Sequence, residues 1–338
     1  MSLWPDYVES PCRENYTYFW SADYMRTAYH CTAIITLPLS LFTFYVIWNV
    51  TPPKMRAMKW PMLISHAWSV NLDMMFSVYI MPMVFFPSAS GIGLGLLSWL
   101  GIGTKWQAYW GQVSIIMMGV GFVTLYENRH SQITTINFKI KKHRTRVLFF
   151  GANYLIGFTI MLPYYLTTPD QLEYRQLVLK RIPCPTIEFY DPRTYVILRG
   201  GEAAPFWSIT IGVSMVFFQT LFFSLHAMYH LAKKAKSVVS ESTKAMQRKF
   251  LGCVSLQISI PAIAVFIPII YSMYADKSDH FNQAYNNNTL LAMSNHGILA
   301  TSCVLYIYKP YRTFITNSIG RKSSTAQVSN TARSEITL

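Results

Sequence analysis

The chain has 338 residues, of which 52% are hydrophobic, 15% aromatic and only 13% charged. Soluble domains carry nearer a quarter charged residues, so this composition excludes an ordinary soluble globule and indicates a membrane protein. The net charge of +14 is no sign of nucleic-acid binding, because the basic residues lie between long apolar runs.

Residues 1–26 are polar and lack the basic start and apolar core of a cleavable signal peptide. The first apolar run is therefore expected to act as its own insertion signal. Seven stretches reach the ~20 apolar residues needed to cross ~30 Å of hydrocarbon. They are 27–50, 60–85, 106–126, 147–167, 205–231, 250–274 and 288–308. Pro38, Pro82, Pro163, Pro261 and Pro268 lie inside them. Interior proline argues against soluble helices and is tolerated in membrane bundles. The run GIGLGLLSWLGIG, 91–103, is short and glycine-rich and is expected to be an outer interfacial loop, not an eighth span.

With the N-terminus outside, the inner segments hold 20 of the 29 Lys and Arg residues and three acids; the outer segments hold nine Lys and Arg and eleven acids. Basic residues concentrate on the cytosolic side of membrane proteins, which fixes the N-terminus outside and the C-terminus inside. The glycosylation sequons at Asn15 and Asn287 fall in outer segments; a third, at Asn49, falls at the inner end of span one and is expected to stay bare. Cys12 and Cys184 are the only cysteines in outer segments, where disulfides persist. They form either a bridge from the N-terminal arm to the second outer loop or two free thiols. None of the five cysteines has metal-ligand spacing, and no cofactor or metal is expected.

Asp73 is the one carboxylate inside a span, two residues after Asn71. Burying it costs roughly 2.5–3.5 kcal/mol on insertion scales, so it should face the bundle interior. Trp106, Tyr109 and Trp110 open span three, Trp207 opens span five, and Tyr271 and Tyr274 close span six. They form either an interfacial aromatic belt or the wall of an upper ligand pocket under the long second outer loop, in which TYVIL (194–198) is a candidate strand. Span three ends on Glu127, Asn128 and Arg129 at the inner boundary. That cluster is either a membrane-flanking charge group or part of a switch in which Glu127 restrains Arg129 at rest. Pro261 and Pro268 permit a kink in span six that could serve as a hinge. After Pro310, a short amphipathic helix over 309–320, with Tyr311, Phe314, Ile315 and Ile319 on one face, is expected in the inner interface, followed by a polar, disordered tail, 321–338.

Several motifs resemble those of nematode serpentine chemoreceptors of class H. They are TPPKMRAMKWPMLISHAW (51–68), YENR (126–129), LPYYLTTPDQ (162–171), IPCP (182–185), SNHG (294–297) and KPYR (309–312). The order and spacing of these motifs carry the resemblance over all but the last ~20 residues. It implies an all-α bundle of seven transmembrane helices, over 27–308, of the G-protein-coupled type. It also implies a non-enzyme in the plasma membrane of sensory neurons, binding a small-molecule or peptide cue. Glu127, Asn128, Arg129, Pro310, Tyr311 and Arg312 would then couple to a heterotrimeric G protein. The basic inner loops would face its Gα subunit and anionic lipid. Likeness to rhodopsin-like receptors gives Asp73 a sodium-type polar site as an alternative to simple packing.

The rival classes are less well matched. A ligand-gated channel with its N-terminus inside opposes the charge bias. A retinal protein needs a lysine within the last span, and 288–308 has none. A transporter usually shows several intramembrane ionisable groups, and only Asp73 is present.

Overall fold

In hydrocarbon a peptide group has no water to bond, so each apolar run must satisfy its own N–H and C=O groups. The computed structural model of the chain describes residues 17–133, 136–167, 170–182, 184–198, 204–230 and 241–318. Its long helices are α1 (Ala22–Val50), α2 (Arg56–Met74), α3 (Thr104–Gln132), α4 (His143–Thr159), α5 (Ala204–Tyr229), α6 (Glu241–Ser278) and α7. Helix α7 is in two halves, Gln283–Ser294 and His296–Ile307. Residues 309–318 form a final helix, α8. Among the described residues, six stretches are long and apolar enough to cross a membrane by length and composition alone. The seventh is α2, which carries Arg56, Lys59, His66 and Asp73 and is extended by a π turn, Met75–Tyr79.

The packing runs opposite to that of a soluble bundle. Ile34, Leu148, Leu155 and Phe218 are exposed, as lipid-facing residues should be. The buried face of α1 instead includes Thr32, Thr36, Ser40 and Thr43. Small polar residues at a helix interface allow close approach and local hydrogen bonds. Thr32 and Thr43 donate to the carbonyls one turn back, at Ala28 and Leu39. The apolar core of the inner half joins Ile47, Met62, Val123 and Leu125 to Leu305 and Tyr311.

Several boundaries differ from those expected. The second span does not run to residue 85. Its helix closes at Tyr79, Met81 takes a positive φ of 48°, and Pro82 begins a strand. Proline at the first residue of a strand loses no ladder hydrogen bond it would otherwise donate. The third helix does not stop at Tyr126 but continues to Gln132. The fourth span breaks after Thr159 and resumes as one turn, Leu162–Leu166, because Pro163 has no N–H and suits the start of a helix. Helix α6, with 38 residues, is about 57 Å long and so exceeds the membrane. Tyr311 is fully buried in the helical core, so α8 does not simply lie on the interface; Phe314 and Ile315 are half-buried against that core. Ile319 and the tail lie outside the described residues, as do Cys12 and Asn15.

The outer loops make a three-stranded antiparallel sheet in the order β1 (Pro82–Val84), β2 (Ala89–Gly93), β3 (Tyr195–Leu198). Met83 pairs with Ile92, and Gly91 pairs with both Val84 and Tyr195. The expected strand at 194–198 is therefore present, but the hairpin 82–93 was expected only as span and loop. Both sheet edges meet amide side chains. Gln171 donates to the Val196 carbonyl (3.2 Å) and accepts from the Val196 N–H (2.8 Å). Gln283 and Asn286 of α7 donate to the carbonyls of Val84 and Phe86 at the other edge. Met83, Phe85, Ile92, Val178, Phe189 and Val196 pack into an apolar core of their own, joining the sheet to the loop helix Gln171–Arg181. Cys184, in this loop, is disulfide-bonded.

The first turn of α1 has two exposed-end donors satisfied by side chains. The Ser21 hydroxyl accepts from Tyr24 N–H (3.1 Å), and the Glu188 carboxylate accepts from Ala22 N–H (2.8 Å). An acid at a helix N-terminus also complements the helix dipole. Glu188→Ala should lower the unfolding free energy by about 1 kcal/mol, whereas Glu188→Gln, which keeps an acceptor, should lose less. Thermal unfolding of the purified protein checks this, and equal melting of wild type and Glu188→Ala would contradict it.

Candidate functional site

Under the sheet lies a cavity of about 240 Å³. The π turn of α2 and the residue after it give it Phe76 and Ile80, α3 gives Gln107, Gly111 and Gln112, and α6 gives Pro268 and Ser272. Tyr195 and Ile197 of β3 and the β1–β2 hairpin form its roof. Among the described residues no charged side chain lines it. The Gln107 amide is fully buried and donates to Ser98 Oγ (3.0 Å) and the Ile102 carbonyl (2.6 Å), which ties the start of α3 to the hairpin exit. A Cβ on Gly93 would lie 2.0 Å from Gln107 Oε1, so that close approach requires glycine. Gln112 Oε1 accepts from the Tyr165 hydroxyl (2.7 Å), which fixes the orientation of a second amide facing the cavity.

The aromatic residues expected to form the pocket do not line it. Trp106, Trp110, Trp207 and Tyr274 are exposed at the outer ends of their helices, which is the belt arrangement. Tyr109 is buried, but its hydroxyl donates to the Phe158 carbonyl (2.6 Å) and its ring packs on Tyr165. Tyr271 reaches only the neighbourhood of the cavity, edge-on to Phe86 with ring centroids 6.1 Å apart. Bulk and position near the outer face identified an interface, not the side of each helix that turns inward.

The roof is held down by charge. Arg181 pairs with Asp276 (2.7 Å) and with Asp279, joining the loop helix to the outer end of α6. Burial alone would lower the Arg181 guanidinium, but the two carboxylates outweigh it and hold it above its ordinary value. Asn287 is fully buried and its amide donates to the Phe19 carbonyl (2.9 Å). A glycan has no room there, which corrects the expectation for this sequon; Asn15 is not among the described residues. Nor is Cys12, the partner expected for Cys184.

Deeper in the bundle, Asn71 and Asp73 point to different helices. Asn71 donates to Ser114 Oγ of α3 (3.0 Å). Asp73, fully buried, faces α7, with Oδ1 3.4 Å from His296 Nδ1. Its other oxygen lies so close to Gly297 that a Cβ there would be 1.8 Å away. Among the described residues no group of three or more His, Cys, Asp and Glu side chains could hold a metal ion. His296 and Gly297 of the SNHG segment are thus the two residues of α7 that meet the Asp73 carboxylate.

At the inner end the switch residues separate. Glu127 does not restrain Arg129. Its Oε2 accepts from Arg146 Nε (2.9 Å) and Nη2 (2.5 Å), and the same Nη2 donates to Ser131 Oγ (2.9 Å). Glu127 is buried, so its charge is matched by a bidentate guanidinium from the start of α4. The Arg129 guanidinium turns toward α7 and α8, within electrostatic reach of the Tyr308 and Tyr311 hydroxyls, and donates to Gln132 Oε1 (3.3 Å). Asn128 caps nothing beyond its own helix; its Oδ1 accepts from Gln132 (2.8 Å). Tyr311 is tied to α1 by a 2.7 Å hydrogen bond with Thr51 Oγ1. Pro310 opens α8, and Arg312 is exposed, over the Tyr306 ring. Tyr126, not singled out from the sequence, donates to Ser255 Oγ of α6 (3.0 Å). Its place beside Glu127 in YENR was the available signal.

A model of the serpentine-type 7TM GPCR chemoreceptor Srh matches residues 20–321. The chain belongs to the Srh family. Serpentine receptor class H-72 of Caenorhabditis elegans is 27% identical over 292 residues, covering 85% of this chain and 84% of that protein. The crystal structure of squid rhodopsin superposes with a TM-score of 0.56 over 94% of this chain and 88% of that one. At 10% identity this is a likeness of fold, a seven-transmembrane bundle of the GPCR type. The Srh chain is accordingly a multi-pass integral membrane protein.

Two substitutions test the buried polar geometry. Gly297→Ala should reduce folded protein severely, by about 3 kcal/mol, because the added methyl meets a carboxylate rather than a movable apolar chain end. The Gly297→Ala/Asp73→Ala double variant should recover most of the loss, read as monodisperse yield from membranes. Arg146→Ala should cost about 3 kcal/mol by stranding the Glu127 charge. The Arg146→Ala/Glu127→Gln pair should cost less than Arg146→Ala alone in thermal melts.

Proposed function

We propose that this Srh protein is a chemosensory G-protein-coupled receptor for a small, uncharged, mostly apolar external molecule bound under the outer sheet. Occupancy is transmitted to a heterotrimeric G protein at the inner ends of α3, α5 and α6. One observation carries this reading: α6 lines the cavity at Pro268 and Ser272 and, on its inner half, holds Tyr126 of α3 through Ser255. A single helix therefore touches both sites. Pro261 and Pro268 stand between the inner contact and the outer end of that helix, where lost backbone hydrogen bonds permit bending. A ligand shifts such an equilibrium only by its differential affinity for the two states. An uncharged cavity offers that differential through apolar contact and the Gln112 amide. In this role Arg129, freed from Tyr308 and Tyr311 by outward motion of α6, meets the Gα subunit. Plasma-membrane placement in sensory neurons fits the same reading.

The test is Gα activation normalised to surface receptor, in cells challenged with a panel of neutral apolar small molecules. Activators should be found among them, and Gly111→Leu, which projects side-chain volume into the cavity, should remove the response while surface level persists. Arg129→Ala should abolish activation without loss of surface receptor. Tyr126→Phe should raise basal activity roughly fivefold, the population shift for one hydrogen bond of ~1 kcal/mol present only at rest. An Arg129→Ala receptor that signals like wild type would overturn the coupling role.

A further inference from the structure

A second concavity lies at the opposite end of the molecule, among the inner ends of α3, α4 and α5. Residues 138–142, between α3 and α4, line this groove of about 710 Å³ together with those helix ends. Its apolar walls are Phe138, Phe149, Phe218 and Phe222. Phe138 is seated edge-on against Phe222, with ring centroids 6.2 Å apart. Lys139, Lys141 and Lys142 also line the groove, and among the described residues no acidic side chain does. Lys139 is held in place by donating to the Ser131 carbonyl (3.3 Å), and Lys141 and Lys142 are exposed. Glu127, on the neighbouring turn of α3, is already neutralised by Arg146.

We propose that this groove is a binding site for an anionic glycerophospholipid of the inner leaflet. Its phosphate sits among the three lysines and one acyl chain lies along the phenylalanines. The occupant follows from the two-part chemistry. Phe218 and Phe222 are exposed on the lipid-facing side of α5, at the depth where the lysine-bearing segment meets the membrane surface. A soluble anion would satisfy the ammonium groups and leave the aromatic wall bare. A zwitterionic lipid would cover the wall but bring its own cation to a site with an excess of three positive charges. Basic residues next to the inner leaflet attract anionic lipid, and their effect adds within a Debye length. The concave wall adds a position to that attraction, so retention should outlast extraction from the bilayer.

The experiment is native mass spectrometry of the full-length receptor purified in detergent. The receptor is exposed to equal amounts of phosphatidylserine, phosphatidylinositol bisphosphate and phosphatidylcholine. The anionic lipids should be retained in preference. The Lys139→Gln/Lys141→Gln/Lys142→Gln variant should lower that retention by roughly tenfold or more, with phosphatidylcholine unchanged. Phe218→Ala should lower retention of all three lipids. Arg56→Gln/Lys59→Gln, a basic pair elsewhere on the same face, should change nothing. Each variant is compared at matched monodispersity and melting temperature. Wild-type retention by the triple variant would overturn the proposal. So would an equal loss in the Arg56/Lys59 control, which would mean unlocalised surface charge. Complete displacement of the lipid by soluble inositol trisphosphate would overturn it too, by making the site one for a free anion. Loss of Gα binding by the triple variant in lipid-free detergent would assign the lysines to a protein partner instead.

Discussion

No water is available in the hydrocarbon core to bond a peptide group, and every other feature of this molecule follows from how the chain meets that condition. Seven helices satisfy it along their length. Where a helix is broken inside the bundle, a side chain adds hydrogen bonds to those the backbone keeps. At the break in α7, the Leu291 carbonyl still accepts from the Asn295 N–H (3.0 Å). The Asn295 side chain donates to the same carbonyl (2.8 Å) and accepts from Thr32 of α1 (3.1 Å). At the outer end of α2 the chain leaves its π turn and enters a sheet almost at once, with the Leu94 N–H bonding back to the Ile80 carbonyl (2.9 Å). The same condition explains the inverted packing: hydrocarbon accepts leucine and phenylalanine outside, so threonine, serine and asparagine go in.

Charge is placed with corresponding economy. Asp73 and Glu127 are both buried, and each faces a specific neighbour on another element, His296 or Arg146. A buried ion pair is weak evidence for net stability, since desolvation offsets much of the attraction. Its value lies in specificity. The pair between Glu127 and Arg146 fixes where the intracellular end of α4 sits against α3, and it leaves Arg129 available to α7 and α8. The neighbouring Tyr126 hydroxyl meets the neutral hydroxyls of Ser255 and Ser224, contacts that are easier to separate than the ion pair beside them.

The spans and the family resemblance were readable because they rest on runs of composition and on short motifs. The seven apolar stretches are all present, and the strand at 194–198 follows from the β-branched residues in TYVIL. What was not readable depends on rotation about a helix axis or on partners distant in sequence. Trp106 and Tyr109 are three residues apart on α3, yet one is exposed and the other buried. Arg146 lies 19 positions from Glu127, across a loop, so local spacing favoured the nearer Arg129. The hairpin at 82–93 was hidden because its residues are as apolar as a span and only Pro82 marks the change. Asn287 satisfied a sequon pattern that carries no information on burial. The role of Gly297 emerged only from the carboxylate lying across it.

The outer sheet has one property with a wider meaning. A three-stranded sheet ordinarily presents two edges at which a fourth strand can add, and many receptors of peptides capture an extended chain in that way. Here the Gln171 amide occupies the β3 edge by donating and accepting as a strand residue would, while Gln283 and Asn286 take up carbonyls beyond β1. The backbone of the roof therefore has no open edge to offer an incoming polypeptide at these positions. For the ligand proposed to bind beneath it, recognition would then rest on shape and side-chain chemistry, favouring compact molecules without a repeating amide backbone over extended peptides.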